Sequence, residues 1–380
     1  MCTTRRTYSL QNLPLAVNGL ALADVGIAVM LVKMGYSFHI YNYIRWLVYI
    51  FSILGVSIMA TYIVRIVIWP VSWTRKDLSS PAGIASIGAF SIATCLLGKI
   101  IVLSELDLPR TLAFAVVIVG CFIQTSFMLL FFYRIFQQKT LPEPFFNIAI
   151  HSSLFPPACL PGGFLAARVI RDAYLYFGLI TLPIIFIIVV RVLRPRNRDD
   201  TIVANNPSIA VLQASCAIAC TSWHVNPLTK TAVDGVGEII SNVLFGMSVA
   251  SVFITLFAMF SRRQILYMTR YEPTVSALTF PFINSAIASI TYIDFHHYYR
   301  PYFKYYSYAL IGISSINTLA VNALYFYKLF YVVREEVMVI DERDRATSDP
   351  VSYLYVSPYY SERNNGGGDT DKMPPFLSSF

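Results

Sequence analysis

Charge is scarce in this chain. Only 13% of its 380 residues are Asp, Glu, Lys or Arg, about half the share of an ordinary soluble domain. Apolar residues make up 56%, and the mean hydropathy is +0.59. No water-soluble fold of this length hides so much apolar surface. A soluble enzyme, a coiled coil and a disordered chain are thereby excluded. Catalytic strings are missing too: the chain has no P-loop, no HExxH and no paired carboxylates at helical spacing, so neither an enzyme nor a cofactor is expected. Cysteine is rare. Of the six, all but Cys2 fall inside apolar segments, where thiols act as small hydrophobes. Their spacing suits neither a metal site nor a disulfide framework. The polar start MCTTRRTYSLQN runs directly into an apolar segment, which reads as no cleavable signal peptide.

What is abundant is long apolar runs. A helix needs about 20 such residues to span a bilayer. Ten segments qualify, at 13–34, 46–69, 82–103, 111–133, 145–168, 173–193, 202–222, 237–260, 273–293 and 304–333. The net charge of +8 then reads as a topology signal and not as a nucleic-acid site. Loops after even crossings, with the termini, hold about 15 Lys and Arg against about 9 on the other side. The positive-inside rule makes both ends cytoplasmic, and an even number of crossings requires them to share a side. The predicted layout is a short cytoplasmic N-terminus (1–12), a transmembrane domain (13–333) and a polar cytoplasmic tail (341–380), disordered by composition. A multi-pass protein, expected in the plasma membrane, is all-α, and ten crossings exclude a seven-helix receptor.

The crossings alternate in character. Even ones are plain lipid-facing sequence, such as AFAVVIVGCFIQTSFMLLFFY. Odd ones are rich in small polar residues and carry a proline in or just before their first half: Pro14, Pro81, Pro157, Pro207 and Pro281. A proline leaves a carbonyl unpaired, which is tolerable at membrane depth only under a cover of protein or water. Small residues let backbones approach closely. The pattern predicts five helical hairpins, with odd helices kinked at these prolines around a central pore and even helices as an outer ring. The blander alternative is tight packing alone, since Pro and Gly are common in membrane helices.

The ninth-crossing string ALTFPFINSAIAS resembles a motif of the tellurite-resistance and dicarboxylate transporter family. That family includes plant slow-type anion channels, fungal malate permeases and sulfite efflux pumps. LPLAVNGLALADVGIA, SSPAGIASIGAFSIA, SLFPPACLPGGFLAA and NPSIAVLQASCAIAC resemble its first, third, fifth and seventh helices, so the resemblance covers about residues 8–333. Three positions depart from the pattern: Leu13, Ser215-Cys216 and Ser276-Ala277. The resemblance implies ten helices around one pore per subunit, a homotrimer, and a phenylalanine plug at mid-membrane. By motif the plug maps to Phe280, with Phe282 as the weaker candidate and Phe155 as a second aromatic on the fifth helix.

Several charged residues stand out. Lys33, Lys99 and Arg168 sit at the outer ends of odd segments, followed by His224 and Lys230 after the seventh. They read either as a positive vestibule that attracts anions or as side chains snorkelling to headgroups. Arg65, near a cytoplasmic end, is expected to snorkel. Asp24 lies near mid-depth, where an ionised carboxylate is expensive. It is either protonated and bonded, to Asn18 or a facing backbone group, or a proton-coupling site. His151, His296 and His297 read as interfacial, with no metal set. Two functions remain: a gated passive conduit for small anions, or a proton-coupled carrier of malate-like dicarboxylates or sulfite.

Overall fold

The computed structural model describes residues 17–79, 81–104, 108–138, 159–160, 165–193, 211–226, 235–261 and 279–348. Two compact units are distinguished, Met1–Tyr325 and Phe326–Phe380, and the bundle below belongs to the first. Every long element among the described residues is an α-helix. Such a fold is required of apolar chain in a bilayer, where each backbone N–H and C=O must be satisfied internally. The helices are α1 (Val17–Ser37), α2 (Tyr41–Ile68), α3 (Pro81–Leu103), α4 (Arg110–Gln138), α5 (Leu165–Leu193), α6 (Val211–Val225), α7 (Val236–Ser261), α8 (Thr279–Phe295) and α9 (Arg300–Ser348). They correspond to predicted crossings one to four and six to ten. Of the predicted fifth crossing the described residues are Cys159 and Leu160, both buried, and 165–168, which open α5.

Local chemistry sets the hairpin geometry. The α1–α2 turn is only three residues long, with His39 at φ 58° and the Ile40 N–H donating to the Gly35 carbonyl at 2.8 Å. A side chain on Gly35 would meet the Tyr41 Cα at 2.8 Å, so glycine is what lets the two helices fold back so sharply. Along the seams, helices touch through missing side chains. A Cβ on Gly55 of α2 would stand 2.6 Å from Val25 Cγ2 of α1. In the second hairpin, Gly98 of α3 faces Val117 and the Ala113 carbonyl, and Gly120 of α4 faces Cys95 and the Ser91 carbonyl. Close backbone approach is how membrane helices gain dispersion energy without a hydrophobic driving force.

Burial follows the predicted alternation. In α1, 78% of the spanning window is buried, against 28% in α2 and α4 and 33% in α7 and α9. Every residue from Thr279 to Ile293 of α8 is buried, as is every one from Gln213 to Ser222 of α6. The inner helices pack side by side in the order α3, α1, α8, α6. The even crossings turn Trp46, Ile53, Phe122, Phe136, Phe253 and Ile316 outward, as lipid requires. Five described helices are long and apolar enough to cross a membrane: α1, α2, α4, α7 and the apolar first part of α9.

Two boundaries and one proline differ from the sequence reading. Helix α5 starts at Leu165 and not near 173, so Arg168 belongs to the first turn of the sixth crossing and not to the end of the fifth. The same helix carries Pro183 in its interior, so proline is not confined to odd crossings. Helix α9 continues to Ser348, past residue 341, because REEVMVIDERDRA is made largely of good helix formers.

Candidate functional site

The buried helix α8 is the centre of the candidate site. Pro281 is the third residue of α8, and Pro81 is the first residue of α3. These are positions where the missing N–H costs least. Pro14, Pro157, Pro207 and Phe155 lie outside the described residues.

Phe280 and Phe282 are both buried, but they sit about 200° apart around the helix. Phe280 is the one that reaches α1. A Cβ built on Gly26 would stand 3.2 Å from its Cε2 and 3.3 Å from its Cδ2. The ring therefore rests on the bare backbone of α1, in space that any larger residue would occupy. On the other flank, Gln213 of α6 donates its amide to the Pro281 carbonyl at 3.3 Å and to Ser285 Oγ at 2.8 Å. The first turn of α8, with Phe280 in it, is thus held between α1 and α6. The Gln213 contact was not read from sequence. Its partners lie 68 and 72 residues away, and only an amide in an apolar run hinted at it.

Asp24 is fully buried and accepts a 2.7 Å hydrogen bond from the Asn322 amide of α9. Its partner is neither Asn18 nor a backbone group, as the sequence suggested. The same Asn322 amide also donates to the Thr318 carbonyl at 3.1 Å. Asp24 Oδ2 has no hydrogen-bond partner among the described residues. Asn322, 298 positions away, is reached only because the tenth crossing packs on the first. Arg65 does not snorkel: it is buried, with its guanidinium 5.9 Å from the Tyr62 ring centroid.

The basic residues expected at the outer mouth are dispersed in their surroundings. Lys33 is half-buried, Lys99 buried and Arg168 exposed. Lys33 lies within electrostatic range of His224, Lys99 of Cys159 and Arg168 of Arg171. Lys230 falls outside the described residues.

At the same ends of α6, α7 and α8 a polar chain appears that sequence reasoning missed. His224 Nδ1 donates to the Cys220 carbonyl at 2.7 Å. A carbonyl only accepts, so the neutral ring has a bare Nε2, which takes the Ser241 hydroxyl at 2.6 Å. Ser241 Oγ in turn accepts His296 Nε2–H at 2.7 Å. Tyr292 donates to Asn242 at 2.8 Å and stacks on Phe245 with centroids 3.8 Å apart. Nearby, Ser37 donates to Asp294, and Arg300 donates to the Ser37 carbonyl. His296 lies past the end of α8. Burial pushes its pKa below the usual histidine value, while Glu238 opposes that shift.

Buried inner helices carrying amides and hydroxyls, ringed by lipid-facing helices, define a multi-pass membrane protein for moving polar solutes. The voltage-dependent anion channel family model (SLAC1) matches residues 12–326, and the chain belongs to that family. It is accordingly a membrane anion channel or transporter; the family's members are not enzymes. A comparison with curated proteins returns no match.

Proposed function

We propose that the protein is a passive channel for small anions, with the path running among the odd crossings and Phe280 as its plug. The observation that carries this reading is the Phe280 ring seated on Gly26, an aromatic lodged on bare backbone within the buried helices. Phe155 is the second gate candidate. Lys33, Lys99 and Arg168 raise anion concentration at the outer ends of their helices. The bilayer is the other partner; the family resemblance supports a homotrimer in the plasma membrane, and the charge asymmetry supports cytoplasmic termini. Electrophysiology on Phe280→Ala tests the reading. A large rise in anion current is expected, and an unchanged current at equal surface expression overturns it.

A second reading, proton-coupled carriage of malate-like dicarboxylates or sulfite, is favoured by one observation: Asp24 is buried with one oxygen unpartnered, a position able to take a proton. Asp24→Asn leaves flux intact in a channel and abolishes it in a symporter.

A further inference from the structure

One hydrogen-bond donor on α8 has no partner among the described residues. Helical periodicity places Phe280, Asn284, Ala288 and Thr291 on one strip. Contacts with the two neighbouring helices bracket that strip. On one side Phe280 and Ile283 meet Gly26 of α1. On the other, the Pro281 carbonyl and Ser285 meet Gln213 of α6. The strip therefore lies between the two inner neighbours, with Phe282 and Ile290 turned away from it.

Most hydroxyls around this strip are spent on their own helices. Thr291 donates to the Ile287 carbonyl at 2.7 Å, Ser289 to Ala286 at 2.9 Å, and Thr221 of α6 to Ala217 at 3.0 Å. The Gln213 amide is spent on α8. Asn284 is different. Its side chain is 5% exposed, yet its Nδ2 has no hydrogen-bond partner among the described residues. A buried donor left unpaired costs about 1–3 kcal/mol, and a solute that accepts from it offsets that cost.

We propose that Asn284 is an anion-binding and selectivity-determining residue, its Nδ2 donating to a monovalent anion lodged one helical turn from the Phe280 ring. The inference rests on the reading of Phe280 as the plug. An amide offers only a partial positive charge. On this strip no full charge accompanies it, so a singly charged ion is held while a dianion remains uncompensated. The ligand class is therefore a small monovalent acceptor such as nitrate or a halide, and not a dicarboxylate.

Two measurements test this. First, in a Phe280→Ala background, nitrate and chloride currents are compared for Asn284, Asn284→Leu and Asn284→Gln. Asn284→Leu should change the nitrate-to-chloride permeability ratio or the conductance by about threefold to tenfold, the size of one lost hydrogen bond. Asn284→Gln, which keeps the donor, should recover part of it. Equal ratios and conductances in all three overturn the assignment while leaving the plug intact; no current in Phe280→Ala overturns the plug itself. Second, the purified wild-type protein should melt at a higher temperature in sodium nitrate than in sodium gluconate, and Asn284→Leu should lose that increment. An increment retained by Asn284→Leu overturns the site whatever the currents show.

Discussion

The contact between Gly26 of α1 and the Phe280 ring lends itself to a quantitative test with one methyl group. In Gly26→Ala the new carbon stands 3.2 Å from Phe280 Cε2, 3.3 Å from its Cδ2 and 3.3 Å from Ile283 Cγ2. Carbons in ordinary contact stand about 3.5–4.0 Å apart, so the ring must retreat by about 0.3–0.8 Å. Overpacking a tight site costs about 1–3 kcal/mol. A phenyl ring able to turn about its side-chain bonds puts the cost near the lower end, about 1 kcal/mol. Two of the three close contacts are with the seated ring, so most of that strain vanishes when the ring leaves. The unplugged population should therefore rise about fivefold. Macroscopic anion current, normalised to surface protein, reads it directly. The same methyl added to Phe280→Ala should have a much smaller further effect, because two of the three atoms it strikes are gone and only Ile283 Cγ2 remains. A fivefold rise that persists in that double variant refutes the ring as the intermediary. A Gly26→Ala current equal to wild type refutes the plugged geometry.

Two further outcomes follow from the packing and the outer-end chain. Gly98→Ala drives a methyl to 2.5 Å from Val117 Cγ2 and 2.9 Å from the Ala113 carbonyl. It should cost about 1–3 kcal/mol and lower the melting temperature in detergent, whereas Gly246→Ala, which meets nothing within 4 Å, should not lower it. His296 resists protonation more in the folded protein than in the unfolded chain. Its contribution is complete above its ordinary value of about 6.5 and is lost as the pH falls below it. The groups around it are His224, Ser241, Glu238, Tyr292 and Tyr299. Melting temperature should drop on acidification through that range, and His296→Gln should flatten the drop. An unaltered drop in the variant removes His296 as the cause.

Much of the architecture is written in composition because the bilayer is a simple solvent. It demands a helix wherever the chain is apolar for about 20 residues, and it penalises polar side chains and proline on a lipid-facing surface. For that reason the small polar pattern of crossings one, three, seven and nine identified the buried helices, and the bare apolar pattern identified the outer ones. Phe280 was singled out for another reason, its place in a local motif, Thr279-Phe280-Pro281, and it is buried on α8.

Pairings across the bundle were not legible. Asp24 with Asn322, Gln213 with Ser285, and His224 with His296 through Ser241 each join helices far apart in sequence. The choice between Asn18 and Asn322 as the partner of Asp24 depends on which helix packs on which face. The start of α5 was misplaced because Arg168, Arg171 and Asp172 look like a loop, yet the helix carries them in its first two turns, with Arg168 exposed and the buried Arg171 beside Asp172. The length of the apolar runs and their content of small polar residues thus determined which segments are helices and which of them are buried, since both follow from the transfer of side chains into lipid. Only the tertiary structure decided which polar groups meet and which stay unpaired, because a hydrogen bond is set by direction and distance, and neither is encoded in local sequence.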